Sequence, residues 1–417
     1  MVERYRTRRV FVAGGMPYHT YVSRIDRDIE GRLQTVQDNL CKLVTVTGAT
    51  KSGKTVLAKK VLDENSIWVD GGTIKLEDDL WNSILESIDG YNEVSYSETY
   101  GTNANIRGDG STELQIPLLA KGKAKIGADY GTTRGTQSSA RRVSSPRQSA
   151  INQLKESNRA LIIDDFHYLN RDFQGSIIRA LKPLIFEGLP IVLIAIPHRR
   201  YDAIRVEREI TGRLEAINIP SWDKEEILQI PREGFPLLNL DVSEKVCNRL
   251  AEEAYGSPHL MQEFCKELAL SNGIEERTAQ AFSINEVSDQ LFSHVAEGTG
   301  KVIFDKLATG PRQRSDRIPR KFKNGNTDDI YGVVLYALAR LGPGLDTIEY
   351  EVLRGAIRDI LADNIPQAHE VTRVLEKMAE IATGDEASTP VLDWDKGERK
   401  LHITDPFFAF FLKWGVS

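Results

Sequence analysis

Leu43-Val44-Thr45-Val46-Thr47-Gly48-Ala49-Thr50-Lys51-Ser52-Gly53-Lys54-Thr55-Val56 is the stretch on which the reading of this chain turns. Its first five residues are an apolar, β-branched run that predicts a buried strand. The next eight match G-x-x-x-x-G-K-[ST] in full, and a helical pattern follows from Val56. Strand, glycine-bounded loop and helix is the context in which that spacing makes a phosphate cradle. The glycines let backbone N–H groups close around phosphate oxygens at a helix N-terminus, whose dipole favours negative charge. In such a loop Lys54 reaches the β and γ phosphates and Thr55 ligates Mg²⁺, so Gly48 to Val56 predict an ATP·Mg²⁺ site.

Four further runs resemble the first strand: Ser66–Asp70, Leu161–Asp165, Ile191–Ile196 and Ala216–Pro220. Helical patterns separate them, the signature of a parallel sheet covered on both faces. The expectation is a doubly wound α/β core over residues 1–221. Leu161-Ile162-Ile163-Asp164-Asp165 places two carboxylates at a strand end. Asp164 is the candidate Mg²⁺ ligand. Asp165 is the candidate for polarising the attacking water, and its short side chain predicts slow turnover; the alternative is that it only caps the helix starting near Phe166.

Between the second and third strands lies an insert near 95–150, rich in Gly, Ser and Thr and longer than a connection needs to be. Lys121, Lys123, Lys125, Arg134, Arg141, Arg142 and Arg147 face only Asp129 in its second half. It reads as a solvated loop with a small hairpin at Leu118–Tyr130, or as a contact for nucleic acid or an acidic partner. Residues 222–309 read as a wholly helical lid and 310–326 as a basic, mobile linker. From 327 to 417, three helices and a hairpin across Asp395-Lys396-Gly397-Glu398 predict a winged helix, with the aromatic helix Pro406–Trp414 packed on its core.

Charge and composition narrow the classes. With 54 basic and 60 acidic residues the net charge is −6, so the whole molecule has no general attraction for nucleic acid. Three dispersed cysteines, Cys41, Cys247 and Cys265, offer neither a disulfide framework nor a zinc site. No apolar run is long enough for a signal peptide or a membrane span. A cytoplasmic protein without membrane contact is expected. No nucleophile triad or metal-ligand spacing is evident among the histidines.

The loop, the paired aspartates and the order of core, lid and winged helix resemble the STAND and archaeal-type ATPases, relatives of the AAA+ proteins. The resemblance implies roles for further residues. Tyr21-Val22-Ser23-Arg24 looks like the Phe-x-Gly-Arg segment that lies beside the adenine, and Gly256-Ser257-Pro258 like the Gly-x-Pro element whose proline packs on the base. Pro197-His198-Arg199-Arg200 occupies the place of the γ-phosphate sensor, and Thr211-Gly212-Arg213 that of an arginine finger presented to a neighbouring subunit, with Arg208 the alternative. His259 stands where AAA+ relatives often have a phosphate-contacting Arg, which departs from the pattern. His402 stands roughly where STAND proteins place a β-phosphate sensor.

The expected activity is that of a slow ATPase switch that forms a homo-oligomer and works with a separate effector protein, with bacterial antiphage or conflict signalling as a setting. Two alternatives stand beside it: a DNA-binding AAA+ ATPase of DNA processing or transposition, and a non-hydrolysing adaptor that holds ATP. The balance of −7 over residues 327–417 and Glu370, Glu376 and Glu380 on the recognition helix speak for a protein-facing winged helix, leaving the basic insert and linker as nucleic-acid contacts.

Overall fold

Alternate residues of the core strands belong to two different apolar clusters, the direct consequence of the two-residue period of a strand. In the computed structural model, Leu43, Ile67, Val69, Leu161, Ile163, Ile191 and Leu193 enter one cluster. Val44, Val46, Ile162, Val192, Ile194 and Ile217 enter the other. The structure describes residues 5–38, 41–62, 66–88, 93–98, 138–143, 145–169, 171–195, 212–311, 317–342, 347–383 and 391–416.

The strands are β1 (Leu43–Gly48), β2 (Ile67–Asp70), β3 (Glu93–Glu98), β4 (Ser138–Val143), β5 (Leu161–Asp164), β6 (Ile191–Ala195) and β7 (Leu214–Ile219). Five of them form one sheet in the order β2-β5-β6-β1-β7. All its pairings are parallel. Helices Glu77–Ser87, Pro146–Ser157 and Arg171–Glu187 cover one face, and Ile29–Gln34 with Lys54–Val61 the other. The doubly wound core expected from sequence is present. β1 lies between β6 and β7, and the loop after it sits at the carboxyl ends of the parallel strands, where open α/β sheets bind ligands. β3 and β4 pair as a separate antiparallel ribbon at the two ends of the insert; the hairpin expected at Leu118–Tyr130 lies outside the described residues.

The lid holds helices Lys224–Leu237, Glu244–Glu253, Pro258–Ser271 and Asp289–Thr299, but it is not wholly helical. β8 (Leu240–Val242) and β9 (Phe282–Ile284) run parallel within it. The N-terminal segment, grouped with the core by sequence, packs into the lid: Val10 and Phe11 are fully buried among its helices, and Thr7 N–H donates to the Glu275 carbonyl at 2.8 Å.

The basic stretch before the last unit is tied down at its end. β10 (Arg320–Lys321) pairs with β11 (Thr327–Asp328), Phe322 is buried, and Arg320 forms an ion pair with Glu370 at 2.9 Å. A winged helix follows: helix Ile330–Leu341, β12 (Thr347–Glu349), helices Tyr350–Ile360 and Ala368–Thr383, then β13 (Leu392–Asp395) and β14 (Lys400–Ile403). The three strands pair antiparallel in the order β12-β14-β13. The last helix, Pro406–Trp414, does more than pack on this unit. Phe408, Ala409 and Leu412 enter the winged-helix core, while Phe410 and Phe411 enter the lid core. A helix apolar on opposite sides joins two cores. Among the described residues no helix is long and apolar enough to cross a membrane.

Candidate nucleotide-binding site

The loop after β1 has the backbone its sequence demands. Gly53 adopts φ +88°, open to glycine at little cost. Lys51 adopts φ +61°, uncommon for a residue with a long side chain. Beside the loop opens a cavity of about 580 Å³, within the span of about 300–1,000 Å³ typical of small-molecule sites. Of the residues singled out by sequence, Tyr21, Arg24, Thr50, Lys51, Ser52, Gly53, Lys54, Thr55, Val56, Asp165 and Pro258 all line it.

Gly48 and Ala49 do not line the cavity but hold the lysine that does. The Lys54 ammonium donates to their carbonyls at 3.0 and 2.8 Å. Burial pulls its pKa down to about 8, against the opposing charges of Asp165 and Asp164. Thr55 Oγ1 donates to Asp164 Oδ2 at 2.8 Å. The two residues expected to hold Mg²⁺, 109 positions apart, are thus brought together at the carboxyl ends of the strands. Asp164 is buried, which raises its pKa, and the Thr55 hydroxyl and the Asp165 N–H oppose that shift.

Asp165 has φ +49° and makes no side-chain capping bond to the short turn Phe166–Tyr168. The capping role weighed from sequence is therefore not what its carboxylate does here. Its carboxyl is 44% exposed, with the buried His167 ring 3.9 Å away. Burial raises its pKa to about 6, helped by the charges of Asp164 and Asp70 and opposed by Lys54 and Lys51. Asp70 stands opposite Asp164 across the β2–β5 ladder. The glycine after it is required: a Cβ on Gly71 would lie 2.7 Å from the Asp165 carbonyl oxygen.

The far wall is made by contacts that the sequence does not announce. Arg24 is nearly buried and gives Glu226 two bonds of 2.9 Å, with another of 3.0 Å to the Pro220 carbonyl. Its guanidinium lies 4.8 Å from the centre of the Trp222 ring. Trp222 Nε1 in turn donates to the Ser52 carbonyl at 2.9 Å, pinning the start of the lid to the phosphate loop. Buried Gln262 accepts from Val12 N–H at 3.1 Å and donates to Thr20 Oγ1 at 2.8 Å, fixing the N-terminal segment over the cavity. Arg24 and Pro258 on this wall are among the residues the family resemblance singles out; a further local signal is Asp223-x-x-Glu226, a capping box that presents Glu226 to Arg24. Tyr21 OH donates to Glu30 at 2.7 Å.

Other candidates stand apart. His402, on β14, shares a 3.0 Å hydrogen bond with Thr347 and does not line the cavity. Arg213 does not line it either; its guanidinium stacks 4.6 Å from the Phe186 ring. Arg199 and Arg208 lie outside the described residues. His259 does line the cavity, and burial with the charge of Lys51 lowers its pKa to about 4. It is a neutral imidazole near pH 7 and no substitute for an arginine cation.

No protein-family profile matches the chain, and no curated protein does. Solved structures do. A Walker-type ATPase of Pyrococcus abyssi, PABY2304, is similar over 94% of this chain and 96% of its own, at 16% identity and a TM-score of 0.50. The ADP form of the Aeropyrum pernix ORC2 protein is similar over 96% and 94%, at 13% identity and 0.48. The Thermotoga maritima RuvB Holliday junction branch migration motor follows over 92% and 93%, at 12% and 0.40. At such identities the likeness is one of fold alone: a parallel-sheet core of the P-loop kind, followed by a helical unit and a small C-terminal unit like a winged helix.

Proposed function

We propose that the chain binds ATP·Mg²⁺ in the cavity beside its phosphate loop, hydrolyses it slowly and uses it to set the position of lid and winged helix. The observation that carries this reading is the Thr55–Asp164 hydrogen bond beside a cavity that Lys54 enters. The residues fit the group: a hydroxyl and a carboxylate would hold the Mg²⁺, which when bound neutralises phosphate charge. Backbone N–H groups of the loop and the Lys54 ammonium would orient the phosphates, and Asp165 would align and deprotonate a water. The Trp222–Ser52 and Arg24–Glu226 contacts join loop, N-terminal segment and lid, so a ligand with unequal affinity for two lid positions can shift their populations. Calorimetry tests the core of this: wild type should bind ATP·Mg²⁺ and Lys54→Ala should lose most of that affinity. Equal affinities would refute it.

A second reading concerns what the winged helix faces, and here a specific observation favours nucleic acid over protein. The three glutamates of Ala368–Thr383 that argue against DNA each meet a cation: Glu370 meets Arg320 at 2.9 Å, Glu376 meets Lys396 at 2.8 Å, and Glu380 meets Lys377. Their charge is locally cancelled, while Arg373 and His369 remain exposed on the same helix. Lys377 and Lys396 are already within the counted −7 and only Arg320 adds to it, so the pairings leave the unit acidic as a whole and bring this one helix face near neutrality. We infer DNA processing as the setting that this supports best. Anisotropy with a labelled duplex should show binding that weakens steeply with salt; no binding at low salt would return the winged helix to protein contacts. The likeness to STAND proteins rests on the loop, the paired aspartates, the order of the units, Gly256-Ser257-Pro258 and His402, and the antiphage setting has no support beyond that likeness, so it is not proposed.

A further inference from the structure

We propose that Phe407, on the C-terminal helix, is a positioning residue for the nucleotide site: its ring holds Lys51 and His259 at the phosphate-loop side of the cavity, which makes the last helix of the chain part of that site. This deepens the function proposed above and rests on it. Lys51 lines the cavity, yet its ammonium also lies 4.9 Å from the centre of the Phe407 ring. His259 lines the cavity too, and its ring meets Phe407 edge-on at 4.8 Å and 85°. One aromatic ring thus stands behind two polar groups that face the ligand space.

The chemistry suits the position. An aromatic face attracts an ammonium through its quadrupole without neutralising it, as a carboxylate would, so the cation stays available to an anion. Lys51 also needs support, because its left-handed backbone (φ +61°) is unfavourable for a long side chain. The ring itself is well fixed. Asp405 caps its helix by accepting from Phe407 N–H at 2.8 Å and Phe408 N–H at 2.9 Å. Further along the helix, Lys413 and Trp414 Nε1 both donate to the nearly buried Glu253 of the lid at 2.8 Å. Gly14, which also lines the cavity, packs so closely on His259 that a Cβ there would lie 3.0 Å from the imidazole Cε1. Ligand binding at the loop and docking of the terminal helix then stabilise one another, since the coupling is reciprocal.

The test uses the full-length chain and calorimetry with ATP·Mg²⁺ and with adenosine. Phe407→Leu should weaken ATP by about two- to fivefold, the value of one such contact, and leave adenosine unchanged. Phe407→Tyr, which keeps the aromatic face, should restore the affinity. In a Lys51→Met background, the effect of Phe407→Leu on ATP should shrink to what the His259 contact alone contributes. Hydrogen exchange of residues 406–416 gives the reciprocal readout: ATP should slow it in wild type and not in Lys51→Met, a comparison that holds even if Phe407→Leu folds poorly. Equal losses for ATP and adenosine, an undiminished effect of Phe407→Leu in the Lys51→Met background, or exchange indifferent to ATP in wild type would overturn the proposal. Failure of wild type to bind ATP at all would instead refute the proposed function.

Discussion

Replacing Asp165 by Asn should stabilise the metal-free, nucleotide-free protein at neutral pH while it reduces turnover. The carboxyl's pKa is raised from 3.8 to about 6 by burial first, then by Asp164 and Asp70. A shift of about two units at about 1.4 kcal/mol each gives a ceiling of about 3 kcal/mol. The side chain is 44% exposed, so solvent screens much of this, and about 1 kcal/mol is the reasonable expectation. The sign follows from linkage. Above about pH 6 the group is charged in both folded and unfolded chains, and the folded state carries the whole cost of keeping that charge near two others. Between about pH 6 and 4 the folded state takes up its proton first and the cost fades; below that range both states are protonated and it is gone. Urea unfolding of wild type and Asp165→Asn in EDTA at pH 7.5, 6 and 4 checks it. The variant should be more stable at pH 7.5, and the gap should close by pH 4. A variant no more stable at pH 7.5, or a gap independent of pH, would refute the electrostatic account of this residue.

The same carboxyl should make ATP turnover fall as pH drops through its titration, since the deprotonated form is the one that accepts the water's proton, with the midpoint below the value of about 6 for the metal-free site because Mg²⁺ beside Asp164 would favour the charged form; a steady-state profile flat from pH 4 to 8 would remove it from that role. Glu253→Ala should cost about 2 kcal/mol and loosen the last helix, because the acceptor shared by Lys413 and Trp414 is lost; thermal unfolding together with proteolysis near residue 405 reads it. If Arg213 reaches a neighbour's phosphate, Arg213→Ala should bind ATP as wild type does but fail to assemble in ATP, as measured by light scattering. Unchanged mass would leave Arg213 with its stack on Phe186.

What was readable from sequence had a local period or a fixed spacing. β1, β2, β5, β6 and β7 are four to six residues long and rich in apolar or β-branched residues, with Glu215 and Asn218 interrupting β7, and each lies near its predicted place. Short elements had no period to read. β12 has three residues, and its partner His402 lies 55 positions away from Thr347. The ribbon of β3 and β4 is built from polar residues such as Ser95, Ser97, Arg141 and Arg142, which give no apolar alternation. Helix Lys224–Leu237 contains Pro231 and Pro236, residues that local rules read as breakers; both Ile230 and Phe235 beside them are buried in the lid core, and that packing prevails over propensity.

The site divides along the same line. Its phosphate half, Gly48 to Val56 with Asp164, is legible because the chemistry prescribes residue types at fixed spacings. Its other half is a set of pairings across great separations: Arg24 with Glu226, Thr20 with Gln262, Ser52 with Trp222. Apart from Arg24, which the family resemblance singles out, each partner alone is an ordinary residue, and only the fold makes it part of a wall. The N-terminal segment shows why this matters. Val10 and Phe11 are buried in the lid, Gln262 holds Val12 and Thr20, and Arg24 reaches the start of helix Lys224–Leu237. Residues from Val10 to Arg24 therefore belong mechanically to the lid while lining the cavity of the core. A ligand between them touches both bodies at once. This is the physical condition for its binding energy to act on their relative position rather than on local order alone.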